Sequence, residues 1–220
     1  MKKGSGFSLL EVLIVISLIV IIAGMLLPAL NRAREKARAA YCLQHLKQWG
    51  AGTHLFAAEN DGRLPKDGFA TPTLASHFAS GWYVQLPEVM GLAPYIEMPW
   101  RTNASIEPPL SPWICAANAR RSNGNLLFHY CLNSQVNGTA QQIRIFKIPN
   151  PAATVWLFDN GKIAAVAQQN NVHTNVHNGG AQILFLDGHV RRFPNAAYWD
   201  FKANKGRTDH PELLWRPNGD

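Results

Sequence analysis

Residues 12–60 read VLIVISLIVIIAGMLLPALNRAREKARAAYCLQHLKQWGAGTHLFAAEN, and how this stretch is read decides the fold. Its first part, Val12 to Leu30, carries no charge. At a rise of about 1.5 Å per residue, such a helix just crosses a hydrocarbon core of about 30 Å. The second part turns polar but keeps a helical period: Cys42, Leu46, Trp49 and Phe56 recur at intervals of four, three and seven. A strand would alternate instead. The stripe is expected to pack on a globular body, with Arg34, Arg38 and Lys47 on the opposite face. Asn60 to Gly62 and then Pro65 are the stop signals. One helix of about 50 residues follows, half of it in lipid and half forming the spine of a folded head.

The bulk composition agrees. A chain of 220 residues has room for one leader, one membrane segment and one modest domain. Its 47% hydrophobic and 16% charged content excludes a disordered chain. The net charge of +7 could mark a nucleic-acid partner, but Lys2, Lys3, Arg32, Arg34, Lys36 and Arg38 flank the apolar run. Position beside a membrane accounts for much of the excess, so nucleic acid is not an expected partner. There are three cysteines, Cys42, Cys115 and Cys131. With the head outside the cytoplasm, Cys115 and Cys131 would pair and leave Cys42 free; three buried thiols is the other reading.

A secretory signal peptide fits the N-terminus poorly. The apolar run is too long, and the one A-x-A candidate, Ala37 to Ala39, lies beyond a basic cluster. A plain anchor gives no reason for Glu11, a carboxylate at the head of the apolar run. "KKGSGFSLLEV" (residues 2–12) resembles the cleavage site of type IV prepilins and type II secretion pseudopilins. The resemblance implies a leader of residues 1–6 cut after Gly6 by prepilin peptidase, and Phe7 as the N-methylated first residue. It makes Glu11 the acid that sets assembly register and Pro28 the helix-kinking proline. Glycine before the scissile bond presents no side chain to an active site. An ionisable residue in lipid is costly unless paired, and the amine of a neighbouring subunit's Phe7 would pair it. The resemblance places the N-terminus in the cytoplasm and the head in the periplasm, as a single-pass inner-membrane protein. The charge count alone, two cations before the run and five after it (Arg32, Arg34, Lys36, Arg38, Lys47), would place the head inside.

The head, residues 60–220, is expected to be α+β, pilin-like, with an antiparallel sheet of about four strands on the helix. "GWYVQLPEVMGLAPYIEMPW" (residues 81–100) suggests a short helix or two among irregular loops. Trp82, Tyr83, Tyr95, Trp100 and Trp113 are core aromatics, or else a sugar-stacking surface. "QQIRIFKI" would put Ile143, Ile145 and Phe146 or Ile148 inward. "TVWLF" is a buried run ending at Asp159, and "AQILFLDGHVRRF" reads as a hairpin with both turn residues, Asp187 and Gly188, at positive φ.

"HNGGAQILFLDGHV" sets nine residues between His177 and Asp187-Gly188. This resembles the H-X9-DG domain found behind prepilin-type leaders, here over about 149–193. "CLQHLKQWG", "ENDGRLP" and "NPAATVWLFDNG" resemble further segments of that family. The family often has a basic residue before the histidine, where this chain has Val176. His173, His177, His189, Asp159 and Asp187 could suggest a metal or hydrolase site, but convergence of three ligands is not readable from such spacing. No metal, cofactor or catalytic residue is expected; the chain is not expected to be an enzyme. The expected partners are other pilin or pseudopilin subunits, prepilin peptidase, an inner-membrane assembly platform and the lipid bilayer. The alternative is a membrane-anchored periplasmic domain that binds a ligand, a glycan or a metal without polymerising.

Overall fold

The computed structural model describes residues 8–69, 81–137 and 142–217. The leader 1–6, with Gly6, and also Phe7 lie outside them. Helix α1 spans Leu9–Glu59 and runs through Pro28 without a break. By compactness the chain divides into residues 1–37 and 38–220. Every described side chain of the first unit is exposed, Leu9 to Leu30 included. Among the described residues α1 is the one helix long and apolar enough to cross a membrane.

Within the second unit the helix becomes amphipathic. Cys42, His45, Leu46, Trp49, Gly50, Gly52, Thr53, Phe56 and Ala57 are buried, while Arg38 and Lys47 are exposed. This is the stripe expected from the sequence, and each of Leu46, Trp49 and Phe56 contributes about 1.5–3 kcal/mol by leaving water. Asp61 (φ 63°) and Gly62 (φ 75°) turn left-handed after Glu59. The Gly62 N–H caps the Ala57 carbonyl at 2.8 Å, which ends the helix.

The head carries a five-stranded sheet in the order β3-β1-β2-β4-β5. The strands are β1 (Tyr130–Asn133), β2 (Val155–Asp159), β3 (Val166–Ala167), β4 (Gly180–Phe185) and β5 (Val190–Pro194). The β1/β2, β2/β4 and β4/β5 pairs are antiparallel, as expected. Edge strand β3 pairs with β1 in parallel, so the sheet is mixed rather than wholly antiparallel. A small second sheet joins β6 (Trp199–Asp200) to β7 (Lys205–Gly206), after the short helix α3 (Asn195–Tyr198).

The sheet has two covered faces. Tyr130, Leu132, Trp156, Leu157 and Leu184 share a core with the α1 stripe. Val155, Phe158, Ile183, Phe185 and Phe193 pack with Tyr198, Leu213 and Trp215 from the C-terminal segment on the other. A register shift between Val155 and Leu157 inserts Trp156 as an extra residue. Both Trp156 and Leu157 therefore point to the helix side, and Trp156 Nε1 donates to Thr53 Oγ1 on α1 at 2.9 Å.

Two expectations need correction. Residues 143–148 form no strand: Ile145–Lys147 is a 3-10 turn, Phe146 is exposed and Ile148 is buried. This segment is held instead by the helix exit, through Leu64 N–H to Ile143 O and Ile145 N–H to Gly62 O. The β4–β5 hairpin forms, but only Gly188 (φ 92°) of its turn pair has positive φ. Gly188 N–H bonds Phe185 O, the pattern of a turn followed by a left-handed glycine bulge. The five aromatics are core, the first of the two readings, and not a sugar-stacking surface. Trp82, Tyr83 and Trp100 lie on α2 (Trp82–Met90) and a 3-10 turn, and with Tyr95 and Trp113 all are at most 4% exposed. Edge and tilted contacts join them to Trp49 and Phe128.

Candidate functional site

At the N-terminus, the Glu11 carboxylate accepts the Ser8 backbone N–H at 2.8 Å, and Ser8 Oγ accepts the Leu10 N–H at 3.3 Å. Ser8 and Glu11 thus satisfy donors of the first helical turn reciprocally, the arrangement of an S-x-x-E capping box. That signal is plain in "SLLE" and was missed when Glu11 was read for assembly alone. Pro28 removes one N–H from the ladder, and the residue whose carbonyl loses its donor is Gly24, with nothing packed at its side-chain position.

In the head, one face of α1 grips the loop at residues 112–115. Trp49 Nε1 donates to Pro112 O at 2.8 Å, and His45 Nδ1 donates to Ile114 O at 2.9 Å. Cys42 forms a disulfide with Cys115, their Cα atoms 4.8 Å apart. Positions 42, 45 and 49 stand at i, i+3 and i+7, so a single helix edge makes all three contacts. The expected Cys115–Cys131 bond is not formed. Cys131, on β1, faces the core on the far side of the sheet, whereas Cys42 and Cys115 lie in the helix-side core. Cys131 is the free thiol, and burial drives its ionisation far up.

His129 supports this loop from beneath. Burial pushes its pKa down to about 4, which leaves the ring neutral. Nδ1 accepts the Cys115 N–H at 3.1 Å, so the proton sits on Nε2 and is donated to Arg120 O at 3.1 Å.

The sequence cluster of histidines and acids separates into two places. His177 Nε2 lies 3.1 Å from Asp159 Oδ2 and 3.5 Å from Cys115 Sγ, with the His177 and Asp159 side chains at most 2% exposed. Asp159 Oδ2 also accepts the Gln182 N–H at 2.6 Å. Asn178 (φ 52°) and Gly179 (φ 74°) make the turn that carries the chain from His177 into β4, and Arg192 Nε donates to His177 O. Val176 packs into the helix-side core, which suits an apolar residue there rather than a basic one. At the other end of the hairpin, Asp187 Oδ1 accepts from the His189 N–H and Nδ1, closing its own turn. A methyl on Gly188 would stand 3.3 Å from His54 Nε2, so this turn lies against α1 as well. The His173 side chain joins neither place; its Nδ1 accepts the Asn175 N–H.

The arrangement can clamp and staple. His177 and Asp159, two of the five residues weighed as a metal or hydrolase site, are buried beside the disulfide. Sequence reasoning missed His45, Trp49, His129 and Gln182, whose Nε2 donates to Ala39 O at 2.7 Å. Trp49 fell on the predicted stripe and was legible as buried, but not as a hydrogen-bond donor; His45, three positions after Cys42, was not placed on it.

A family model, the prokaryotic N-terminal methylation motif, matches residues 1–27. The match supports a prepilin-like N-terminus and a single-pass anchor. No curated protein and no solved structure matches the chain.

Proposed function

We propose that this chain is a prepilin-like structural subunit. Prepilin peptidase removes residues 1–6 by cutting after Gly6, and Phe7 becomes the N-methylated first residue. Residues 7–30 anchor the subunit in the inner membrane, kinked at Pro28; residues 31–59 are the amphipathic spine, and residues 60–220 form a periplasmic head. The mature helices bundle with those of other pilin or pseudopilin subunits on an inner-membrane assembly platform. Within the bundle Glu11 meets the amine of a neighbouring Phe7 and sets the axial register. The chain has a structural rather than catalytic role in a type IV pilus or type II secretion pseudopilus. His177, Asp187 and Gly188 belong to an H-X9-DG domain over about 149–193, whose work is to seat the sheet on the helix.

The observation that supports this reading is the methylation-motif match over residues 1–27, together with the uncharged run from Val12 to Leu30, every side chain of which is exposed. The test is intact-mass and N-terminal analysis of the protein purified from its own membranes. A chain beginning at N-methylated Phe7 is expected. A chain beginning at Met1 would overturn the processing step and favour an anchored domain that does not polymerise.

A further inference from the structure

One buried polar group in the head is left unexplained by assembly. Cys42, Cys115 and His177 present ligand atoms within 4.8 Å of one another, all buried. Asp159 stands on the same His177 nitrogen. Two atoms of this group, Asp159 Oδ1 and His177 Nδ1, are buried without a hydrogen-bond partner.

We propose that the reduced chain binds one zinc-class divalent cation at Cys42, Cys115, His177 and Asp159. Two thiolates, one imidazole and one carboxylate are the ligand types of a closed tetrahedral structural site. With metal–sulfur bonds of about 2.3 Å and metal–nitrogen bonds of about 2.0 Å, tetrahedral angles put sulfur and nitrogen about 3.5 Å apart. The Cys115 Sγ to His177 Nε2 separation is 3.5 Å. The nitrogen–oxygen separation in such a site is about 3.4 Å, against 3.1 Å between His177 Nε2 and Asp159 Oδ2. The remaining adjustments are rotation of two cysteine side chains whose Cα atoms are 4.8 Å apart, and approach of the Asp159 carboxylate to the sulfurs, since it stands outside the 4.8 Å group of the other three ligand atoms. Asp159 keeps the Gln182 N–H on Oδ2, a backbone donor that steadies the ligand from outside.

The metal and the disulfide exclude one another. A dithiol or phosphine reductant supplies two electrons, with two protons from water, to turn the disulfide into two thiols. Binding the cation then releases both thiol protons. In the other direction a small-molecule disulfide takes two electrons from the two thiolates and leaves as two thiolates itself, the Cys42–Cys115 bond re-forms, and the cation is released. Either state ties α1 to the loop at residue 115, so the head has two interchangeable staples, selected by redox state and metal supply.

Cobalt(II) is the probe, added to the full-length chain in detergent after reduction with a trialkylphosphine. One cobalt per chain is expected, with the visible bands of a tetrahedral ion and a thiolate charge-transfer band, both abolished by excess zinc(II). The oxidised chain should show neither. Cys42→Ser and His177→Asn should lose the bands, while Cys131→Ala retains them; near-ultraviolet circular dichroism checks that each variant is folded. Reduced chain without bands would overturn the proposal, as would bands that survive in a folded Cys42→Ser or His177→Asn chain or that match in the oxidised protein.

Discussion

Replacing Cys42 and Cys115 together by alanine removes the staple without leaving a reactive thiol behind. The bond closes a segment of 73 residues. For a loop of that length the chain-entropy relation gives about 4 kcal/mol, through restriction of the unfolded ensemble. The folded loop itself should stay in place, because His45 still donates to Ile114 O and Trp49 to Pro112 O. The loss should therefore show as a lower melting temperature with an unchanged native spectrum. At about 2–4 °C per kcal/mol for a domain of this size, the midpoint should fall by about 8–16 °C. The assay is near-ultraviolet circular dichroism during heating, which reads the packed tryptophans Trp49, Trp82 and Trp113. Alkylation of the denatured, unreduced wild type should label one thiol, Cys131. A double variant melting within about 2 °C of wild type would refute the reasoning, since a closure of this length cannot be so nearly neutral on the entropic account.

Gly50→Val should destabilise the head by about 2–3 kcal/mol, because a Cβ there would stand 2.9 Å from Leu184 Cδ1 and 3.4 Å from the Gly188 backbone; thermal melts check it. Acid should weaken the head through His129: its folded pKa of about 4 lies below the unfolded value near 6.5. The unfolded chain then binds the extra proton, and up to about 3 kcal/mol is lost as pH falls from 6.5 toward 4. The contribution is read as the difference between wild type and His129→Gln, so that other groups cancel, including Asp67, which burial raises to about 6. Glu11→Leu should leave cleavage intact but reduce incorporation beside wild-type subunits by about tenfold or more, measured by co-purification of tagged subunits; equal incorporation would remove the register role.

Much of the architecture was legible because two periodicities carry it. The 3.6-residue stripe placed Cys42, Leu46, Trp49 and Phe56 on the buried face of α1, and Asp187-Gly188 marked the β4–β5 hairpin. What escaped was short or nonlocal. β3 has two residues, too few to show alternation, and its parallel partner lies more than thirty positions away. The covering of the far sheet face by Tyr198, Leu213 and Trp215 comes from a segment with no period of its own. The disulfide was misassigned because pairing depends on which side of the sheet each sulfur faces. Alternation along β1 puts Leu132 toward the helix and Cys131 away from it, whereas Cys42 had already been placed on the buried stripe. The Glu11 cap was readable from four adjacent residues. The membrane cost of the carboxylate is the louder signal at that position and masks its simpler local use.

Both ends of the segment from His177 to Gly188 touch α1, one beside Cys42 and the other beside Gly50 and His54. Twelve helical positions separate Cys42 from His54, a rise of about 18 Å, and six extended residues of β4 cover about 20 Å. The nine-residue interval is thus a gauge cut to the helix. One added residue in β4 would lengthen it by about 3.3 Å and turn every later side chain to the opposite face. Helix and strand can change length here only together, and only in steps that restore both the distance and the face.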